Sequence, residues 1–188
     1  MILPIVSYGT KVLKQKAQDI SNDYPNLERL IEDMFETMYE ANGVGLAAPQ
    51  IGRSIRLFIV DGSPFTDENP EMNGFRKVFI NPKIIEESGE EWSFNEGCLS
   101  IPSVREDISR LSKVRICYQD QDFNIIDEEY DGTKARIIQH EYDHIEGVLF
   151  TDYLSTFKKR LLKRKLNDIT KGNVKVDYRM KFPLKKGR

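Results

Sequence analysis

The stretch QHEYDHIEG, residues 139–147, decides how the rest of the sequence is interpreted. It contains both histidines of the 188-residue chain, His140 and His144, with Glu141 directly after the first. Residues three and four apart share one face of a helix, so a helix here aligns these side chains with Ile137. Two imidazoles one turn apart can hold one metal ion, and the glutamate can act on water bound to that ion. The alternative is a pair of histidines that only form hydrogen bonds at a helix surface.

A catalytic metal site of this kind needs a third protein ligand and one open position. No third histidine exists, so the candidates are Cys, Asp or Glu. Cys98 in EGCLS lies where a predicted strand changes to a loop, and a metal keeps such a thiolate deprotonated. Cys117 in KVRICYQD alternates with Arg115 and is predicted to pack in the core as a strand residue. The sequence therefore favours Cys98 as the ligand.

A glycine-rich stretch, GVGLAAPQIG at residues 43–52, follows the first predicted helix. Its glycines let a backbone approach a ligand closely, and the Gln50 amide can donate to an oxyanion. A helix C-cap followed by a turn explains the same residues without any ligand. Taken alone, the stretch favours that simpler interpretation.

The hydrophobic periodicity predicts an α+β fold with mostly antiparallel β-sheets around a central metal-binding helix that carries HExxH. One helix is predicted at 26–43 in the N-terminal half of the chain, and a C-terminal helix is predicted at 154–172. The central helix is predicted at 132–147, with Asp131 as its N-cap and Gly147 at its end. The predicted strands cluster between the first two helices.

Length and composition predict a single catalytic domain at 1–188, with a basic helix and tail at about 155–188. The chain is 39% apolar and 31% charged, as is typical of globular proteins. The sequence contains no long apolar stretch and only two cysteines, which predicts a cytoplasmic protein without a membrane partner. Residues 155–188 hold thirteen basic and two acidic side chains, a net charge of +11, which raises the question of an anionic partner.

Together, GVGLAAPQ, EGCLS and QHEYDH, in this order, resemble the three motifs of the peptide deformylase family. The resemblance covers roughly residues 1–154. It implies a metal-dependent hydrolase that removes the formyl group from the N-terminal formylmethionine of nascent polypeptides and releases formate. It also implies one divalent metal ion, held by Cys98, His140 and His144. Fe²⁺ is the usual physiological metal of the family, and Zn²⁺, Ni²⁺ or Co²⁺ can occupy the same site.

The resemblance assigns the remaining roles in the reaction. Glu141 would be the general base and then the acid, while Gln50 and the backbone N–H of Leu99 would form the oxyanion hole. The substrate would lie like an added strand in the site and bind a further set of residues. The members of that set are Val44, Gly45, Gly97 and Ile137.

Several polar neighbours of the motifs are predicted to support them. Glu96 is expected to be buried and to need a cation, with Arg110 as a candidate partner. Gln139 and Asp143 are candidates for orienting the ligands, although an exposed helix position suits Asp143 equally. Arg136 is expected at the rim of the substrate pocket.

Two other functions stay open at this stage. A zincin-like metallopeptidase shares HExxH but takes a later His or Glu as its third ligand, and Glu146 is the only nearby candidate. A non-catalytic ribosome- or RNA-binding module with a structural metal is suggested by the basic last helix. That helix has an apolar stripe, which is predicted to face the core. The stripe consists of Phe157, Leu161, Leu162, Leu166 and Ile169.

The nascent-chain substrate and the basic segment together suggest that the chain associates with the ribosome, with no DNA partner. The loop at 62–75 is expected to border the substrate groove. The tail at 172–188 has no assigned role, and VKVDYRM within it could form an added strand. The sequence does not fix the oligomeric state or the substrate preference beyond formylmethionine.

Overall fold

The computed structural model describes residues 1–183. Within this range there are three α-helices: α1 Leu27–Glu40, α2 Gly132–Glu146 and α3 Thr156–Thr170. The strands are β1 Ile5–Val6, β2 Gly45–Ala47, β3 Leu57–Asp61, β4 Arg76–Cys98, β5 Ile101–Gln119, β6 Ile125–Asp131 and β7 Met180–Lys181. None of the helices in residues 1–183 has both the length and the apolar character needed to cross a membrane.

Strands β2 to β6 form one antiparallel sheet in chain order, which confirms the α+β class. The short strand β3, LFIVD, is buried throughout because both of its faces are covered. Leu57 and Ile59 belong to the apolar cluster that contains the inner face of α1. Phe58 and Val60 belong to the cluster that contains the apolar residues of α2. Alternation along the strand thus places the sheet between two helices.

Strands β4 and β5 form a long hairpin that ends at the tip Leu99–Ser100. At the tip, Cys98 pairs with Ile101. The pairing shifts register at several points along the hairpin, and such shifts bend and twist a strand. The hairpin therefore carries Cys98 to its tip, beside α2.

Helix α2 begins and ends where the sequence predicts, and Asp131 occupies the predicted N-cap position, but its side chain does not form the capping hydrogen bond. Asp131 is the last residue of β6 and pairs with Lys113, so its backbone is extended. Within the described chain, no backbone N–H of α2 donates to its carboxylate. The helix starts at Gly132, whose φ of 54° turns the chain away from the sheet. It ends at Gly147, whose left-handed conformation is the expected C-cap.

Cys117 is half-buried on the outer face of β5, so its predicted core position is wrong. The inward-facing residues of this part of the strand are Val114, Ile116 and Tyr118. Because side chains alternate along a strand, Cys117 shares the opposite face with the exposed Arg115.

The apolar stripe of α3 faces the core only in its second half. Leu166 and Ile169 are buried and belong to an apolar cluster with residues of β5. Phe157 and Leu161 are 70% and 65% exposed. No apolar cluster in residues 1–183 includes these two residues, so the predicted core-facing stripe is wrong for them. Leu162, at the middle of the helix, is half-buried against the same cluster as Leu166 and Ile169.

The C-terminal tail returns to the N-terminal strand. β7 pairs with β1 in parallel, through hydrogen bonds from Ile5 N–H to Arg179 O (2.9 Å) and from Ser7 N–H to Lys181 O (3.0 Å). The added strand suggested for VKVDYRM is therefore present at its end. Residues 184–188 lie outside the described range.

Candidate active site

The structure brings Cys98, His140 and His144 together between the hairpin tip and α2. Their ligand atoms all lie within 4.8 Å of one another, and Cys98 Sγ is 3.3 Å from His144 Nε2. The two imidazole rings are 5.1 Å apart between centroids, because they follow one another on the same helix face. In residues 1–183 this is the only group of three or more such side chains close enough to share a metal ion.

The donors in this cluster suit a divalent transition metal. One sulfur and two imidazole nitrogens form the mixed soft and borderline set that binds zinc and iron. Burial lowers the pKa of His144 well below its usual value, which favours the neutral form that binds metals, whereas contacts with Cys98 and Glu96 outweigh burial and raise the pKa of His140. Within the described residues, Oε2 of the buried Glu141 has no hydrogen-bond partner, so it can act on a molecule bound beside the cluster.

Glu96 is the centre of a buried charge network behind the cluster. Its carboxylate accepts hydrogen bonds from Arg110 Nε (2.8 Å) and Arg136 Nη1 (2.9 Å), and it contacts His140 Nδ1 at 2.9 Å. Burial raises the pKa of Glu96, but these hydrogen bonds lower it more, so the carboxylate stays charged. The contact on Nδ1 leaves Nε2 of His140 for the cluster. Arg110 is the predicted partner, while Arg136 is an additional one.

Arg136 lines the cavity beside the cluster, as predicted, but it is only 2% exposed, so it lies within the wall and not at an exposed rim. Besides Glu96, it donates to the backbone carbonyls of Ile108 (2.8 Å) and Trp92 (2.6 Å). A guanidinium can satisfy several acceptors at once, and here it ties α2 to both strands of the hairpin.

Gln139 and Asp143 form hydrogen bonds with different parts of the structure. The Gln139 amide donates to Glu87 (2.7 Å) and to Leu111 O (3.2 Å), so it does not orient the ligands as predicted. One step along a helix turns a side chain by about 100°, which directs Gln139 away from the cluster. Asp143 is not an exposed position, because it accepts from Arg110 (2.7 Å) and from the Tyr153 hydroxyl (3.1 Å).

Glu141 is 4% exposed and lies against the backbone of Gly45 on strand β2. Burial raises the pKa of its carboxyl to about 7. A carboxyl with this pKa can accept a proton and return it near neutral pH.

Gln50 is oriented by its own chain segment. Its Oε1 accepts from the Ala47 N–H (2.8 Å), which directs Nε2 towards Cys98 Sγ (3.5 Å) and Ser100 Oγ (3.4 Å). The interpretation of 43–52 as a C-cap and turn is incomplete, because β2 and a short 3₁₀ helix, Ala48–Ile51, follow the cap. Strand β2 is the edge of the five-stranded sheet, so an extended peptide can pair with it.

A cavity of about 710 Å³ opens at this cluster. Its walls include Gln50, Leu99 and Glu141. They also include every substrate-binding residue predicted from the sequence, namely Val44, Gly45, Gly97 and Ile137. Pro64 and Phe65 also line it, as expected of the loop at 62–75.

The sequence interpretation does not anticipate one wall of this cavity, which Lys175, Val176, Asp177 and Tyr178 form. The sequence pattern that could have predicted this wall is in VKVDYRM, where apolar and polar residues alternate. The half-buried residues are Val174, Val176, Tyr178 and Met180, and the residues between them are exposed.

The sequence of this chain matches a known family model. The model described as polypeptide deformylase matches residues 2–160. The chain belongs to the polypeptide deformylase family. Peptide deformylases from Christiangramia forsetii and Flavobacterium psychrophilum are each 57% identical to this chain; the first alignment covers 97% of both chains, and the second 99% of this chain and 100% of the relative.

Solved peptide deformylases share the fold. The crystal structure of a peptide deformylase from Legionella pneumophila is 36% identical, with a TM-score of 0.80, and the match covers 92% of this chain and 98% of that one. Peptide deformylase 1B from Arabidopsis thaliana, in complex with an inhibitor, is 33% identical, with a TM-score of 0.81 over 91% and 92% of the two chains.

Membership of the deformylase family argues against the two other functions. Glu146, the ligand candidate of the zincin alternative, is held in ion pairs with Lys16 (2.9 Å) and Arg56 (2.6 Å). A deformylase is an enzyme, so a purely non-catalytic binding module is not supported either.

Proposed function

We propose that this chain, acting as one domain over residues 1–188, removes the formyl group from the N-terminal formylmethionine of newly synthesised proteins and releases formate. One observation carries the proposal. Cys98, His140, Glu141 and Gln50 line a single cavity beside an edge strand, and the buried His144 completes the ligand cluster behind them.

Cys98, His140 and His144 would hold one divalent metal ion, with Fe²⁺ as the physiological ion and Zn²⁺, Ni²⁺ or Co²⁺ as substitutes suited to the same donors. When bound, the ion acts as a Lewis acid and makes water more acidic. α2 is then the central metal-binding helix, consistent with its packing against β2, β3, β5 and β6. Glu96 supports this role because it fixes the His140 ring from behind.

Glu141 is proposed to move the proton. It accepts a proton from the attacking water and then gives it to the departing amine, so that formate and a free N-terminus result. A pKa of about 7 suits both transfers, because the carboxyl exchanges its proton readily near neutral pH.

The oxyanion of the tetrahedral intermediate is proposed to accept hydrogen bonds from Gln50 Nε2 and the backbone N–H of Leu99. The hydrogen bond from Ala47 N–H to Gln50 Oε1 supports this role, because it fixes the direction of the amide before substrate arrives. One preorganised donor of this kind is worth about 3 kcal/mol in the transition state.

The substrate is proposed to lie extended along β2, with its backbone bound by Val44, Gly45 and, on the opposite side, Gly97. Val44 and Ile137 supply apolar surface for the methionine side chain, which needs a largely apolar pocket. A cytoplasmic location follows from this substrate and stays a prediction.

Formate release from formyl-Met-Ala-Ser tests the proposal, using full-length protein purified without oxygen and analysed for metal. We expect turnover in the parent, none with acetyl-Met-Ala-Ser, and a loss of turnover with retained metal in Glu141→Ala. Glu146→Ala is the matched control, since Glu146 lies on the same helix but pairs with Lys16 and Arg56. Metal loss in Glu146→Ala would instead support the zincin arrangement, and no formate from the metal-loaded parent would refute the function.

We also propose that α3 binds the ribosome, where the nascent substrate emerges. Phe157 and Leu161 are exposed on this helix among basic residues, a combination that suits an anionic partner with apolar contacts. Co-sedimentation with ribosomes should weaken as salt rises and should be lost in Phe157→Ala/Leu161→Ala, while formate release persists. Equal co-sedimentation of parent and variant at every salt concentration would exclude this surface.

A further inference from the structure

The hydroxyl of Tyr178 donates to the backbone carbonyl of Leu99 at 2.7 Å. Leu99 stands at the hairpin tip, directly after the ligand candidate Cys98. A tyrosine hydroxyl keeps its proton at neutral pH, so it remains a donor there. The tail thus provides a hydrogen-bond donor to Leu99, the residue whose N–H is proposed to bind the oxyanion.

The tail that carries Tyr178 is itself held in place. Arg179, the next residue, accepts a hydrogen bond from Ile5 N–H, and β7 then pairs with β1. The ring of Tyr178 packs against the apolar cluster that includes the inner face of α1. The hydroxyl is therefore presented by a segment that β1 and the apolar cluster hold in place, so that its hydrogen bond can orient the backbone of Leu99.

The hairpin tip accepts hydrogen bonds from two different segments of the chain. Tyr178 holds the carbonyl of Leu99, while the Tyr8 N–H holds the carbonyl of Ser100 at 2.8 Å. On its other side, Cys98 is fixed by its pairing with Ile101. The N–H of Leu99 lies in the peptide plane shared with Cys98, and its carbonyl lies in the next plane, shared with Ser100. With Cys98 paired on one side, a hydrogen bond to the Leu99 carbonyl restricts rotation between the two planes and so limits the directions that the N–H can take.

We propose that Tyr178 is a positioning residue for the reaction: it fixes the backbone of Leu99 so that the Leu99 N–H points at the developing oxyanion. The inference rests on the proposed function and extends it to a segment beyond residue 160, where the family match ends. If the Leu99 N–H is present but poorly oriented, it stabilises the oxyanion of the transition state less, while binding of the substrate in the ground state hardly changes.

Tyr178→Phe removes only the hydroxyl and keeps the ring. In the full-length, metal-loaded enzyme with formyl-Met-Ala-Ser, we expect kcat to fall about 10-fold while KM changes by less than about 2-fold; outright removal of such a donor typically costs about 100-fold or more. The control is Tyr24→Phe. Its hydroxyl contacts Arg53 at 3.2 Å, and Tyr24 is not among the residues that line the cavity.

The outcomes separate this inference from the function on which it rests. No formate from the parent defeats the proposed function itself. If the parent is active, the positioning role is overturned when Tyr178→Phe has an unchanged kcat or shows only a raised KM. A similar loss in Tyr24→Phe, or a loss of metal in Tyr178→Phe, also overturns it. A second measurement uses the zinc-loaded protein: the amide NMR signal of Leu99 should shift in Tyr178→Phe and stay in place in Tyr24→Phe.

Discussion

A Cβ atom added to Gly45 would lie 2.4 Å from Oε1 of Glu141, closer than any two such atoms approach. The edge strand β2 and the carboxylate of α2 are therefore in direct contact, and only a residue without a side chain fits between them. The same contact places the carboxylate beside the strand on which the substrate is proposed to lie.

Gly45→Ala is expected to push the Glu141 carboxylate out of this position. Since a small misplacement of a catalytic group costs about 100-fold in rate, we expect kcat to fall by about that factor or more while bound metal is retained. Steady-state kinetics of formate release and metal analysis check both statements.

Gly62→Ala is the matched control for crowding. A Cβ there would lie 2.5 Å from Met72 Cε, in the loop that follows β3, and its three nearest atoms all belong to Met72. We expect this variant to lose thermal stability but to keep most of its kcat. Equal losses of kcat in the two variants would mean that crowding in general, rather than the position of Glu141, limits the rate.

Gln50→Ala removes the proposed side-chain donor to the oxyanion. We expect kcat to fall about 100-fold or more, with little change in KM, because the interaction forms only in the transition state. Gln139→Ala is a fitting comparison, since Gln139 is also 1% exposed and hydrogen-bonded but directed away from the cluster. It should lose stability and keep its turnover, and a comparable drop in its kcat would argue against a specific role for Gln50.

Glu96→Gln weakens the support behind His140. Replacement of such a partner typically lowers metal affinity by about 10- to 100-fold, and competition with a chelator measures this directly. The variant also leaves Arg110 and Arg136 without their shared counter-charge, which costs about 3 to 5 kcal/mol in the free energy of unfolding. Glu128→Gln disrupts an ion pair with Lys77 on the sheet surface and should leave metal affinity unchanged.

Asp61 makes the stability of the fold sensitive to acid. Burial raises the pKa of Asp61, but hydrogen bonds from the Ser63 hydroxyl, from the Tyr39 hydroxyl (2.6 Å) and from the Ser63 N–H (2.9 Å) lower it more. Because the folded pKa lies below the unfolded value of about 3.9, this carboxylate contributes stability above that value. The contribution disappears as the pH falls through the folded pKa.

Urea unfolding of the parent and of Asp61→Asn, compared at equal metal content from pH 7 to pH 3, tests this linkage. We expect the variant to be less stable at pH 7 by about 1 to 3 kcal/mol, because a hydrogen-bonded charge is lost. The difference should shrink as the pH drops below about 4. A difference that stays constant with pH would assign the effect to packing.

The parts of the fold and site that sequence predicts best are those with strong local signals. The helical spacing of His140, Glu141 and His144 places them on one face, and the left-handed Gly147 ends the helix as expected. The fold class follows from strands that cluster rather than alternate with helices. These predictions depend on neighbours within a few turns of the chain.

Errors arose where long-range contacts decide the outcome. Arg136 is buried because Glu96 and two distant carbonyls accept its hydrogen bonds, and no local pattern reveals those partners. Phe157 and Leu161 follow an inward-facing helical pattern, yet no apolar cluster of residues 1–183 reaches them. Tyr178 belongs to the cavity only because β7 finds its partner near the start of the chain.

The parallel pairing of Ile5–Val6 with Met180–Lys181 has a consequence for the order of synthesis. β1 leaves the ribosome long before β7, because the two strands lie far apart along the chain. Contacts between such distant parts of a chain close late in folding, because the entropy of the long loop opposes them. We therefore expect each new copy of this protein to complete the wall of its own groove only after β7 has been synthesised and has paired with β1.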